Sequence, residues 1–204
     1  MIMDFNEDFC YREKDLYNTK EFGECDYSIP REKQRSKTDI KEAGLKAIYG
    51  TIVNVDTIYS ELRKDCIESY DLTIHSEIYG EVHFILSANT YFVDCFFDEI
   101  GVKVVGFYDP MLPMPLIYPP RYQIRVIALD LPGRFVKADF FDCFLVSQDN
   151  QLQLEITNNT YIINEDKGTP YCGNISNKYM IVLYSRSTKS IPAKTQPNVI
   201  IVLR

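Results

Sequence analysis

The feature that most constrains this chain is an internal repeat. Residues 81–94, EVHFILSANTYFVD, are followed seventy positions later by residues 151–164, QLQLEITNNTYIIN. Asn89, Thr90 and Tyr91 recur as Asn159, Thr160 and Tyr161, with apolar residues at matching places around them. A repeat of this length implies that one supersecondary unit was used twice. The match extends in order both ways. Residues 50–56 align with 133–139 at a spacing of 83, residues 104–108 with 180–184 at 76, and residues 124–127 with 200–203 at 76. On that alignment the first copy carries 13 extra residues, 57–69, and the second gains six around 166–178.

The repeated segments have the signature of strands. Apolar residues alternate with polar ones at Val82, Phe84 and Leu86 and at Leu72 and Ile74, a period of two that places one face inside. The chain has 15 Tyr and 12 Phe, residue types that favour pleated surfaces. Strands are expected at 48–56, 71–76, 81–86, 90–93, 101–108 and 122–129, and again at 135–139, 144–147, 152–156, 160–163, 179–184 and 199–203. The turn at Asp149 and Asn150 suits residues that tolerate left-handed backbone. Asn89 and Asn159 are expected at backbone corners, and Tyr91 and Tyr161 as partly buried anchors.

Charge divides the chain. Twenty of the first 46 residues are charged, against 31 of the other 158. Residues 1–46 therefore read as a charged, irregular arm, with a short helix capped by Ser36 and Asp39 carrying Ile40, Ala43 and Ala47 on one face. Residues 47–132 form the first unit and 133–204 the second. The first unit holds 5 basic and 12 acidic side chains, the second 8 and 6. An acidic first unit repels phosphate backbones and disfavours nucleic acid as a partner. No apolar run approaches the ~20 residues of a membrane helix. The start, MIMDFNEDFCYREKD, lacks the apolar core of a secretory signal, so a cytoplasmic location is expected. The six cysteines include no C-x-x-C pair, and in a cytoplasmic chain they read as buried free thiols.

A three-stranded meander followed by two further strands resembles the OB-fold, a five-stranded Greek-key barrel. The fold expected is mostly β: two tandem OB-like barrels behind the arm. The stretches NTYFVD, GFYDP, PLIYPPRY and KSIP also resemble an uncharacterised bacterial family from Gram-positive anaerobes. That resemblance implies a fold and carries no activity.

The sequence holds no G-x-S-x-G, Walker loop, G-x-G-x-x-G or H-E-x-x-H, so neither catalytic residues nor a cofactor is expected. His75 and His83, with Glu77 and Glu81 nearby, are the chain's only histidines. Two His and a carboxylate suit zinc, but no third ligand has convincing spacing, and a solvated polar face is the expected reading. The most unusual segment is residues 109–122, DPMLPMPLIYPPRY, with five prolines. Met111, Leu112, Met114, Leu116, Ile117 and Tyr118 either cap their own barrel or form a surface for a protein partner or a second copy. The corresponding loop, residues 185–197, is polar. Its Arg186, Lys189 and Lys194 are candidates for holding an anion. Binding or assembly without catalysis is the function expected, with an OB-type site for oligosaccharide or single-stranded nucleic acid as the alternative.

Overall fold

The computed structural model describes residues 44–61, 66–94, 99–166 and 169–203. Residues 1–43 of the arm, and with them most of its expected helix, lie outside them. Lys46 and Ala47, at the end of that helix, are strand. All regular structure among the described residues is β. The strands are β1 (Lys46–Tyr59), β2 (Ile67–Ser76), β3 (Gly80–Ser87), β4 (Tyr91–Phe92), β5 (Lys103–Tyr108), β6 (Arg121–Leu129), β7 (Phe135–Phe141), β8 (Leu152–Leu154), β9 (Tyr161–Asn164), β10 (Lys178–Tyr184), β11 (Ala193–Thr195) and β12 (Val199–Val202).

The first six build a closed five-stranded barrel. β1 pairs antiparallel with β2 and β5, β2 with β3, and β5 with β6. The barrel closes by parallel pairing of β3 with β6, His83 lying opposite Arg121. A bulge helps β1 serve two neighbours. Ile52 faces Ile74 and Asn54 faces Thr73, so Val53 is the extra residue, and such an insertion bends and twists the strand. The interior is filled by the residues that alternation selected, among them Ile48, Ile52, Leu72, Ile74, Val82, Phe84 and Leu86.

The second half has a four-stranded sheet, β7-β10-β12-β9, and a two-stranded one, β11-β8. Residues 144–147 are not a strand. They make only isolated bridges, Phe141 with Ser147 and Val146 with Gln153.

The pairings of the first half recur in the second, and they fix the spacing more firmly than letters do. Gly50 lies opposite Val104, and Asp139 opposite Met180. Ile52 faces Ile74, and Phe141 faces Ser147. Tyr91 faces Val126, and Tyr161 faces Val199. β1 therefore corresponds to β7 at a spacing of 89, not 83, and β6 to β11 and β12 at 73, not 76. Gly133 is a turn residue with φ +79° and has no counterpart in Gly50. The spacings of 70 and 76 for the β3–β4 and β5 regions stand. The cis bonds Tyr118-Pro119 and Ile191-Pro192 also lie 73 apart.

The Asn-Thr pairs make the same corner twice. Thr90 accepts a hydrogen bond from Ser87 N at 3.0 Å and donates to Ile124 O at 2.6 Å. Thr160 accepts from Thr157 N at 3.3 Å and donates to Pro197 O at 2.9 Å. Asn89 and Asn159 sit exposed at the corner. The threonine hydroxyls tie it to the neighbouring chain, β6 in the first half and the segment leading into β12 in the second, and satisfy backbone carbonyls there. Tyr91 is half-buried, but Tyr161 is exposed. Cys66, Cys143 and Cys172 are exposed thiols rather than buried ones.

A separate apolar cluster joins the halves. Val105, Phe107, Val126 and Ala128 pack with Val136, Ala138, Ile181, Ile201 and Leu203. Corresponding positions of the two halves contribute to this one cluster, Val105 and its counterpart Ile181 and Ala128 and its counterpart Ile201. This explains why β5, β6, β10 and β12 are apolar on consecutive residues: one face lines its own half and the other the junction.

Leu45 enters the junction too, and its N–H donates to Asp139 Oδ1 at 3.1 Å. Asp139 is fully buried, and burial pushes its carboxyl up, against the pull of Lys137 and of the Phe140 and Leu45 N–H groups. A raised folded pKa means the folded state binds the extra proton. The stability tied to it is fully present below the ordinary value of 3.8 and is lost as pH rises through the folded value. Asp149 works the other way. Although burial opposes it, hydrogen bonds from Lys137 and Ser147 hold its carboxyl low, so its contribution is present above 3.8 and fades on acidification below that. Urea midpoints taken from pH 4 upward should fall for the wild type, and the fall should flatten in Asp139→Asn. Parallel curves for the two proteins would contradict this.

Candidate binding groove

The loop between β5 and β6 borders an open groove of about 450 Å³, within the range of small-ligand sites. Pro110, Leu112, Pro113, Met114 and Pro115 form its outer wall, and Ile58, Ile85, Tyr108 and Tyr122 its floor. Lys46, Asp109, Arg121 and Gln123 supply the polar groups.

Local chemistry explains how the loop is shaped. Its five prolines have no N–H to donate to the barrel. Met111 N donates to Asp109 Oδ1 at 2.8 Å and Leu112 N to Asp109 O at 3.3 Å, which turns the loop back on itself. The second-half loop lies on its own strand instead. Thr188 N donates to Lys194 O at 2.9 Å, Lys194 N to Thr188 Oγ1 at 2.8 Å, and Thr195 Oγ1 to Arg186 O at 2.6 Å.

The six apolar loop residues singled out from sequence are all exposed, Leu116 completely. Leu112 and Met114 also line the groove, so the loop caps the barrel only in part. Arg186, Lys189 and Lys194 are exposed as well. Lys194 is ion-paired with Glu155 at 3.5 Å, which weakens the case for an anion there.

His83 departs from the expected solvated face. Its side chain is only 15% exposed, and Nδ1 lies 2.6 Å from Asp71 Oδ1. The other Asp71 oxygen is 3.6 Å from Arg121. His75 is exposed and pairs across the hairpin with Glu81. Among the described residues no group of three His, Cys, Asp or Glu is placed to hold a metal ion. Tyr108 and Tyr122 stack obliquely with centroids 4.6 Å apart. Burial pushes both hydroxyls up, helped by Tyr79, so both remain neutral donors in the groove. The Asp71–His83–Arg121 cluster was not legible in the sequence, because Arg121 comes opposite His83 and near Asp71 only through the parallel closure of the barrel. The residues that line the groove with the loop were missed for the same reason.

Models of protein families, curated proteins and solved structures give no match to this chain. No helix among the described residues is long and apolar enough to cross a membrane.

Proposed function

We propose that this is a non-enzymatic, cytoplasmic binding or assembly protein, made of two OB-like units (47–132 and 133–204), that docks a protein partner or a second copy on the Pro-rich loop of the first unit. The observation that carries this reading is the exposure of Met111, Leu112, Met114, Leu116, Ile117 and Tyr118 together. A contiguous apolar patch on a charged surface marks an interaction site. The prolines reduce the entropy lost when such a loop is held. The family resemblance carried by NTYFVD and PLIYPPRY belongs to the same reading and adds no activity.

The test is the double substitution Leu116→Ser with Ile117→Ser. Light scattering over a concentration series should show the variant losing any self-association seen in the wild type. In affinity capture from the source cytosol it should lose the wild type's specific bands, with thermal stability unchanged. If mass and captured bands are both unaltered, the loop is not the docking surface.

One observation favours a second reading. The groove lies between β3, β6 and the loop joining the last two barrel strands, a region that OB-folds use for oligosaccharides and single strands. Tyr108 and Tyr122 supply aromatic surface there. The acidic first unit opposes a nucleic acid, so a glycan array is the informative screen. Retention of a labelled single strand at low salt would revive the other branch.

A further inference from the structure

We infer that the groove takes a peptide segment carrying a carboxylate beside aliphatic side chains, with Arg121 and Lys46 as the anion-binding pair. The inference rests on the proposal that the loop is a protein-docking surface and names the chemistry recognised there.

The second half acts as an internal control. His83 lies opposite Arg121 across the parallel strands, and Gln153 lies opposite Lys194. Arg121 thus corresponds to Lys194, and Ile85 to Glu155. In the second half the cation is closed off by its own carboxylate, Lys194 Nζ to Glu155 Oε1 at 3.5 Å. In the first half that carboxylate is replaced by Ile85, and the space beside it is open groove. Arg121 retains only a long contact of 3.6 Å with Asp71, whose other oxygen is taken by His83, and its side chain is 47% exposed.

A second cation faces the same space. Lys46 lines the groove, where the pairing with β5 puts it opposite Tyr108. Its counterpart in the second half is Phe135, opposite Tyr184. The single carboxylate in the lining, Asp109, already accepts the Met111 N–H. Residues 47–132 are acidic overall, with 12 acidic and 5 basic side chains, yet this groove sets Arg121 and the adjoining Lys46 against a single carboxylate. A guanidinium binds a carboxylate with two parallel hydrogen bonds, and a ligand acid supplies what Glu155 supplies internally next door. Ile58, Ile85, Leu112 and Met114 suit aliphatic flanks rather than a sugar ring.

The experiment is amide NMR titration of the full chain with acetyl-Leu-Glu-Leu-amide and acetyl-Leu-Gln-Leu-amide, with glucuronic acid as a carboxylate lacking aliphatic flanks. The Glu peptide should shift groove amides and bind about tenfold tighter than the Gln peptide, the worth of one charged hydrogen-bonded contact. Arg121→Gln should remove that preference. Ile85→Glu should remove it too, by installing the carboxylate of the second half. Equal binding of the two peptides, no shift with either, or a preference that survives both substitutions overturns the inference. Glucuronic acid binding as tightly as the Glu peptide overturns the peptide class. Equal binding of the two peptides by the wild type, with self-association or captured bands lost in Leu116→Ser/Ile117→Ser, would sink the carboxylate and spare the loop. A Glu preference in the wild type, with mass and captured bands unaltered in Leu116→Ser/Ile117→Ser, would do the reverse.

Discussion

Replacing Gly106 with valine is expected to cost about 3 kcal/mol of folding free energy, and combining it with Phe84→Leu to cost less than the two losses added together. Gly106 is buried on β5, opposite Ile48 and Ile127. A Cβ there would lie 2.5 Å from Phe84 Cε2 and 3.0 Å from Ile124 Cδ1. Phe84 is fully buried, so any shift of its ring has to be absorbed within a packed interior. The second half solves the same position differently. Val182 corresponds to Gly106 and Leu154 to Phe84, and both are buried. Volume has moved from one strand to the other. Phe84→Leu alone should cost about 1.5 kcal/mol through the cavity it leaves. The double variant should be more stable than the sum of the singles by about 2 kcal/mol. Urea denaturation of the four proteins measures this directly. Strict additivity would mean that Phe84 does not occupy the space Gly106 leaves, and the correspondence of the halves at this layer would be lost.

That exchange also shows what the sequence could and could not convey. Strands with one wet face were legible, since Val82, Phe84 and Leu86 stand in period two and all prove buried. The Asn-Thr corners were legible because a short polar motif is placed identically twice. The register was not. Sliding the first strand's match from 89 to 83 is a shift of six residues, an even number, so inward residues stay inward and alternation raises no objection. The match of β6 to β12 was wrong by three, which would turn a one-sided strand over. Here it passed unnoticed, because Val126, Ile127 and Ala128 and their counterparts Val199, Ile200 and Ile201 are apolar at every position. Those same unbroken runs were the signal for a buried junction between the halves. The loop's exposed residues could be suspected from composition. The groove behind it could not, since it depends on side chains from four separate strands and on where a donor-poor loop comes to rest.

Removing Asp94 is expected to cost about 3 kcal/mol. Asp94 and Arg134 form a two-pronged pair, Nη1 to Oδ1 at 2.6 Å and Nη2 to Oδ2 at 2.7 Å. Asp94 also accepts the Leu129 N–H at 2.8 Å, and Arg134 donates to Leu129 O at 2.9 Å. Their side chains are 18% and 22% exposed, so water screens the pair far less than a surface bridge. The pair clamps three places together: the chain just after β4, the end of β6, and the segment that leads into β7. Asp94→Ala would leave a half-buried guanidinium with one carbonyl partner and Leu129 N with none. The Arg134 Nε is already buried without a partner, so the site has little capacity to reorganise. Arg134→Lys keeps the charge but not the fork, and should lose about half as much. Replacing both residues by Leu and Met should cost less than Asp94→Ala alone, because no uncompensated charge remains. Denaturation midpoints for these variants separate the two sources of loss. If the apolar double variant is the least stable of the set, the pair contributes through attraction. If it is close to wild type, its main work is to fix where the second half begins, and with that how Val136 and Ala138 of β7 enter the cluster the halves share.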